Sequence, residues 1–106
     1  MPTGILGTAD LAATTNTTVY TVPATTFSVV TVSICNRSAS TVTVRLAASA
    51  SGTPSNAEWL EFGTQILANG VLERSGIVLD TGKNIVAYSS TTSVNVVVTG
   101  IETSTA

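Results

Sequence analysis

The sequence predicts an all-β protein: an antiparallel β-sandwich of seven or eight short strands, jelly-roll-like, with a flexible N-terminal arm. Three observations lead to this fold class. First, 20 Thr and 14 Val among 106 residues give a composition typical of β-strands. Second, turn-forming residues recur at intervals of roughly 8–12 residues, as in sandwiches and small barrels. Third, no window places apolar residues at helical spacing over three turns.

Seven segments have strand character, and polar or glycine-containing turns separate them. They are residues 18–22, 26–35, 40–48, 58–66, 71–74, 84–89 and 94–101. The first segment ends at Pro23, which cannot donate a hydrogen bond to a sheet. The second is apolar at both parities, which is typical of a central strand. The N-terminal stretch adds at most one short strand, hence the expected count of seven or eight.

Residues 40–48 alternate apolar and polar side chains. Val42, Val44 and Leu46 share one parity, so we expect a half-buried strand with these three side chains in the core. Arg45 then points outward among threonines, where it either binds a carboxylate of a neighbouring protein or keeps this face hydrated.

Residues 58–66 carry the only tryptophan of the sequence. Leu60, Phe62 and Ile66 share a parity and are expected to face the core, which leaves Trp59 outward. An exposed Trp is a candidate contact residue, here beside a polar loop that contains Pro54. The alternative is that a bulge or twist after Pro54 turns Trp59 into the core.

Turn signals separate the later strands. Asn69-Gly70 is the signature of a type I′ turn, which predicts a hairpin between segments 58–66 and 71–74. Residues 80–84 and 90–93 are further turns by composition. At 106 residues, the chain has room for one domain.

The two ends of the chain are expected to lie outside the sandwich. Residues 1–16 contain few large apolar side chains and are interpreted as the N-terminal arm, with Ile5 and Leu6 as candidate contacts to a partner. In this interpretation, residues 17–102 form the β-sandwich domain and residues 103–106 a frayed tail.

Composition argues against several classes of function. The chain has no His and a single Cys, Cys35, so the usual zinc ligand sets cannot form, and no metal or other cofactor is expected. Four basic residues are too few for nucleic-acid binding. No apolar stretch reaches the ~18–20 residues of a membrane span, so no membrane partner is expected. Without a catalytic motif, the sequence predicts a protein that is not an enzyme and has no small-molecule substrate.

The surface composition predicts association with other proteins. Sheet edges are usually protected by Lys, Pro or inward charges, and this sequence has few of these residues. We therefore expect a homo-oligomer that also binds other proteins. The alternative is that short strands and Thr hydroxyls keep the monomer soluble. The predicted partner contacts are Trp59, Arg45, Pro54, Ile5 and Leu6.

Several short segments of the chain fit one common pattern. They are YTVPA at 20–24, CNRS at 35–38, VTVRL at 42–46, and residues 66–69, 76–82 and 86–90. In this pattern the chain resembles a group of small virion proteins of tailed bacteriophages, over most of residues 5–101. Members of that group often have Gly-Lys or Gly-Thr where this chain has Thr25-Thr26. The resemblance implies a non-enzymatic structural protein of the virion, assembled in the host cytoplasm, and it carries no binding residues over.

Three functions of different classes are compatible with these features. The preferred one is a capsid cement or decoration protein, which stabilises contacts between subunits of the major capsid protein. The second is a component of the tail, baseplate or fibre. The third is a receptor- or carbohydrate-binding adhesin module that uses Trp59 and the neighbouring loop as a stacking platform.

Overall fold

The computed structural model describes residues 3–105, which form eight β-strands and contain no helix. The strands are β1 (Thr3–Leu11), β2 (Thr17–Thr21), β3 (Thr26–Asn36), β4 (Val42–Ser49), β5 (Trp59–Ile66), β6 (Val71–Leu79), β7 (Asn84–Ser89) and β8 (Val94–Ser104). The prediction of an all-β fold is confirmed. Within this range, no helix is long and apolar enough to cross a membrane.

The strands form two four-stranded sheets in which all neighbours are antiparallel. Sheet A has the order β1-β8-β3-β6, and sheet B has the order β2-β7-β4-β5. The pairing is nested: the first strand lies beside the eighth, the second beside the seventh, the third beside the sixth, and the fourth beside the fifth. The two sheets make a β-sandwich.

The hydrophobic core lies between the two sheets and is built from alternating residues of their central strands. Successive side chains of a strand point to opposite faces, so every second residue of β3 and of β4 enters the core. These residues are Val30, Val32, Ile34, Val42, Val44 and Leu46, all at most 2% exposed. The inward parity predicted for residues 40–48 is therefore confirmed. Full burial of one such side chain contributes about 1.5–3 kcal/mol to folding.

One polar network also crosses the core. The hydroxyl of Tyr20 in β2 donates to Oε2 of Glu102 in β8 at 2.5 Å and lies 2.6 Å from Oγ of Ser28 in β3. All three side chains are buried, so the network links sheet B to sheet A. Burial and the hydrogen bond to the Glu102 carboxylate raise the pKa of Tyr20 to about 12, because both disfavour the phenolate.

Asn36 holds the corner where the chain leaves β3. Its Nδ2 donates to the carbonyl oxygens of Ser40 at 2.8 Å and of Ile66 and Leu67 at 3.1 Å. Its Oδ1 accepts hydrogen bonds from the backbone N and the hydroxyl of Ser38. The fully buried side chain thus joins the β3–β4 turn to the end of β5. Asn36 belongs to the CNRS segment, which here has a structural role.

The chain ends differ from the predicted arm and tail. Residues 3–11 form β1, which pairs with β8 along its length and buries Leu11, so they are part of sheet A. Pairing with β1 makes β8 an inner strand of sheet A, because without β1 the backbone of β8 would be unpaired on one side. This pairing is the reason that residues 3–11 form a strand and not a free arm. Residues 103 and 104 extend β8, and the Thr105 backbone N donates to the Thr25 carbonyl at 2.9 Å. The predicted sandwich of residues 17–102 is therefore too short at both ends, while residues 1, 2 and 106 lie outside the described part.

The Asn69-Gly70 turn also differs from its prediction. It connects β5 in sheet B to β6 in sheet A, so the flanking strands are not partners and form no hairpin. Asn69 has a φ of 59°, whereas Gly70 is not among the residues with positive φ. A type I′ turn needs positive φ at both central residues. The Gly70 backbone N instead donates to the Leu67 carbonyl at 2.9 Å, which closes a turn that carries the chain between the sheets.

The edge strands differ from the inner strands in the regularity of their pairing. The register shifts in the pairing of every edge strand, namely β1, β2, β5 and β6. The two inner pairs, β3 with β8 and β4 with β7, keep an unbroken register. Two edge irregularities contain a glycine with positive φ, Gly63 at 77° and Gly76 at 73°. Bulges of this kind twist an edge away from further strand pairing, so this protein protects its edges by a means that the sequence analysis did not identify.

Candidate interaction surfaces

The structure separates the five predicted contact residues onto two faces. Trp59 begins β5 and is half-buried, Arg45 lies in the middle of β4, and Pro54 lies in the loop between these strands. All three are on the sheet B side of the molecule. Ile5 is exposed on the outer face of sheet A, whereas Leu6 packs against the core. Leu6 therefore contributes to the core, and its predicted contact with a partner stays a prediction.

Arg45 stands at the centre of an aromatic cluster on the outer face of sheet B. Its guanidinium carbon lies 4.3 Å from the ring centroid of Phe62 on β5 and 4.4 Å from that of Tyr88 on β7. Both aromatic residues are cross-strand partners of Arg45. The ring of Trp59 meets the Phe62 ring edge-on at 5.3 Å. Attraction between the cation and both ring faces holds the guanidinium in place, so Arg45 does not simply keep the face hydrated.

A loop covers the outer face of sheet B next to this cluster. Ala47 and Val86 face outward by strand alternation, yet neither is exposed to solvent. The loop of residues 50–58 runs above them, since a Cβ on Gly52 would lie 3.3 Å from the hydroxyl of Thr18 on β2. The loop therefore crosses the face from β4 towards β2. The loop therefore lies beside the aromatic cluster on the same face.

Glu58 fastens this loop at its base. Its carboxylate accepts hydrogen bonds from the Ser49 hydroxyl at 3.0 Å, the Ala50 backbone N at 2.9 Å and the Ser55 backbone N at 2.8 Å. Hydrogen bonds to the charged form stabilise it, so the backbone donors of Ser55 and Ala50, followed by the Ser49 hydroxyl, lower the pKa of Glu58 to about 2. The hydrogen bonds of the Glu58 carboxylate are all made to residues 49–55, so this carboxylate stabilises the loop.

A second surface is an apolar row on the outer face of sheet A. Ile101 on β8, Val29 on β3 and Val78 on β6 are direct cross-strand partners and lie side by side. Ile5 on β1 continues the row diagonally, and Phe27 is the next outward residue of β3. These five side chains are between 37% and 69% exposed, although each belongs to a well-paired strand. The row crosses all four strands, and a continuous exposed apolar strip of this kind marks an interaction site more often than isolated residues do.

Two members of the aromatic cluster were missed or misplaced by the sequence analysis. Phe62 was expected in the core, but it is 61% exposed. The register of β5 shifts at Gly63, which is an extra residue in this strand. Phe62 and Ile66 therefore point to opposite faces of the sheet, although their spacing in the sequence is even. A glycine inside a strand pattern is the signal that could have revealed this bulge. The role of Tyr88 depends on the pairing of β7 with β4, for which the sequence contains no local signal.

No other kind of site is found in residues 3–105. They enclose no pocket, and they contain no group of three or more Cys, Asp or Glu residues placed to hold a metal ion. Comparison with protein-family models, with curated proteins and with solved structures found no match to this chain. The two outer faces are therefore the features from which a function can be argued.

Proposed function

We propose that this protein is a non-enzymatic structural component of a tailed-bacteriophage virion, held against other copies and other virion proteins through the outer faces of its sheets. The observation that carries the proposal is the apolar row of Ile5, Ile101, Val29, Val78 and Phe27 on sheet A. The chain has a net charge of −2 and only 10 charged residues in 106, so electrostatic repulsion between molecules does little to prevent contact through this row. The phage assignment itself rests on the resemblance of the sequence segments.

The strength of the expected contact can be worked out from the row. Full burial of a Val, Ile or Phe side chain contributes about 1.5–3 kcal/mol, and these five side chains are roughly half-exposed, so covering them contributes on the order of 5 kcal/mol. Association costs at least about 4 kcal/mol in lost translational and rotational freedom. The row alone thus supports weak binding. Stable attachment requires further contacts or several neighbours at once, which a virion lattice supplies.

Within the virion we place the protein on the capsid, as a cement or decoration protein between subunits of the major capsid protein. A flat sandwich with an apolar face on one side and an aromatic face on the other can contact two neighbours simultaneously. We take the sandwich to be a jelly roll, an architecture that also forms viral capsid and lectin domains. A place in the tail, baseplate or fibre is the alternative within this proposal.

A different class of function is favoured by one observation. Phe62 is largely exposed and makes an edge contact with Trp59, so the two rings offer a surface on which a sugar ring could stack. An adhesin module would use this surface to bind a carbohydrate. Binding on a glycan array that is abolished by both Trp59→Ala and Phe62→Ala would replace our proposal with this one.

The proposal is tested by sedimentation of the purified chain between micromolar and millimolar concentration. We expect reversible association that weakens little between about 0.05 and 0.5 M salt, because apolar contacts are not screened. Val29→Lys and Ile101→Lys are expected to reduce association, while Asn16→Lys, which adds the same charge at an exposed loop position, is the matched control. A chain that stays monomeric at millimolar concentration contradicts the proposal. Copy number in purified virions then separates the capsid, with hundreds of copies, from the tail, with about three to a few tens.

A further inference from the structure

Two charged side chains of the described chain make neither an ion pair nor a hydrogen bond. The ion pairs are Asp10–Arg37, Glu61–Arg74 and Asp80–Lys83. Glu58 is held by its loop and Glu102 by Tyr20. Among residues 3–105 this leaves one cation, Arg45, and one carboxylate, Glu73. The two lie on opposite faces of the sandwich, so they cannot pair within one molecule.

Arg45 is positioned as a receptor for a carboxylate. The rings of Phe62 and Tyr88 hold its guanidinium, so little side-chain freedom remains to be lost on binding. Its Nε is buried and has no hydrogen-bond partner, the only such side-chain atom among the residues described. A buried donor without an acceptor is destabilising. The terminal nitrogens of the guanidinium are not buried and also have no hydrogen-bond partner, so a carboxylate can reach them, and a planar guanidinium matches a carboxylate with two parallel hydrogen bonds.

Glu73 lies on the same outer face as the apolar row. Glu73 is exposed and is the cross-strand partner of Ser33, while the preceding residue, Leu72, packs against the core. Val78 of the row pairs with Val29, four residues along β3 from Ser33. At about 3.3 Å per residue, Glu73 therefore stands about 13 Å along the strands from the row. Sheet A thus presents an apolar strip and, at a fixed separation, one acidic group that makes no ion pair.

We propose that copies of this chain stack face to back, with sheet A of one copy on sheet B of the next and Glu73 of the first pairing with Arg45 of the second. This deepens the proposed function and rests on it. A contact between two A faces leaves both Glu73 side chains without a cation, and a contact between two B faces leaves both Arg45 side chains without a carboxylate. Only the contact between unlike faces pairs these opposite charges.

The same contact also gives the apolar row a place to bind. Trp59 is the partner of Ala47, two residues along β4 from Arg45, and the loop with Pro54 lies beyond it. When Glu73 of one copy is placed on Arg45 of the next, the strands of the two sheets can run in either relative direction. One of these directions puts the apolar row over Trp59 and this loop. Each copy in such a stack keeps one A face and one B face free. The contact is heterologous, so it repeats into a ring or a row of copies.

Charge reversal tests the proposal by sedimentation velocity. Arg45→Glu and Glu73→Arg are each expected to weaken association about tenfold or more, and the double variant to restore it to within about threefold. Arg74→Glu, Glu61→Arg and their combination make the same charge changes at a pair that is already satisfied within one chain and lies outside both outer faces, so they should leave association unchanged. Thermal unfolding of every variant identifies losses that come from folding. Single variants without effect, or a double variant no better than the singles, would overturn the proposal.

Disulfide trapping provides a second measurement. In a Cys35→Ser background, which removes the single cysteine, chains with Arg45→Cys are mixed with chains carrying Glu73→Cys and oxidised. A cross-link between the two variants supports the contact of unlike faces, and predominant cross-links within one variant refute it. If the charge variants have no effect while Val29→Lys still disrupts association, this inference fails and the proposed function stands. If the unaltered chain does not associate at all, the proposed function fails first.

Discussion

Replacement of Asn36 by alanine tests whether a single side chain holds the corner between β3, β4 and β5. The side chain is completely buried and makes five hydrogen bonds, three as donor to carbonyl oxygens and two as acceptor from Ser38. The bond to the Ile66 carbonyl is buried, whereas water can replace some of the others. Alanine removes all five without moving the backbone groups that they satisfy.

The expected cost follows from these bonds. Each contributes about 0.5–1.5 kcal/mol net, and a buried acceptor left without a donor costs about 1–3 kcal/mol. Because the bonds share one side chain and several ends are near solvent, they do not add fully. We expect Asn36→Ala to lower the free energy of unfolding by about 2–4 kcal/mol. Asn36→Asp keeps the shape but points carboxylate oxygens at three carbonyls, so it should cost at least as much at pH 7 and recover as the carboxylate is protonated at lower pH.

Urea unfolding followed by circular dichroism measures both variants. Asn95→Ala is the matched control, because Asn95 lies on β8 and makes no side-chain hydrogen bond in the described chain, so its loss should change stability by less than about 0.5 kcal/mol. A cost below about 1 kcal/mol for Asn36→Ala would refute the role assigned to this corner. An Asn36→Asp variant that is more stable than Asn36→Ala at pH 7 would refute the donor geometry.

Three further predictions concern the core, the sheet and the loop. Stability should fall by about 2–3 kcal/mol from pH 10 through 12, because the folded pKa of Tyr20 lies above its unfolded value of 10.0; Tyr20→Phe, itself destabilising, should lack this alkaline loss in urea titrations. Gly100→Ala should cost at least about 2 kcal/mol in thermal melts, since its Cβ would lie 2.2 Å from the Val29 carbonyl oxygen. The protection of the Ala50 amide from hydrogen exchange, taken relative to the intrinsic exchange rate at each pH, should fall as the pH falls from 4.5 towards 2, where Glu58 becomes protonated, and Glu58→Gln should remove this dependence.

The inner strands of the sandwich could be predicted because their signal is local. In β4 the alternation of Val42, Val44 and Leu46 with polar residues reports directly which face is buried. The strand β1 has no such signal, since glycines and small polar residues fill most of its positions. It becomes a strand because β8, more than eighty residues later, offers it a full row of partners. Pairing between the two ends of a chain is not encoded in either segment alone.

The candidate sites show the same limit more sharply. Sequence alone identified Arg45 and Trp59 as outward residues on neighbouring strands, but it did not place an aromatic ring on either side of the guanidinium. Phe62 reaches the outer face only because Gly63 interrupts the alternation of β5. The apolar row of sheet A depends on the registers of four strands, so no single segment reveals it. Registers are set by the packing of whole sheets, which a pattern within one strand cannot specify.

The bulges in the edge strands determine whether two molecules can associate through their sheet edges or through their sheet faces. The scarcity of Lys and Pro suggested open sheet edges, and strand pairing between molecules would then be the natural contact. The shifted registers of β1, β2, β5 and β6 remove that option, because a bulged strand does not offer a regular row of backbone donors and acceptors. The inner strands remain regular, and the apolar row and Arg45 lie on the outer faces of the two sheets. Contact through faces is therefore favoured over extension through edges. In the proposed stack, specificity therefore resides in side chains, where single substitutions are expected to weaken association and matched charge reversals to restore it.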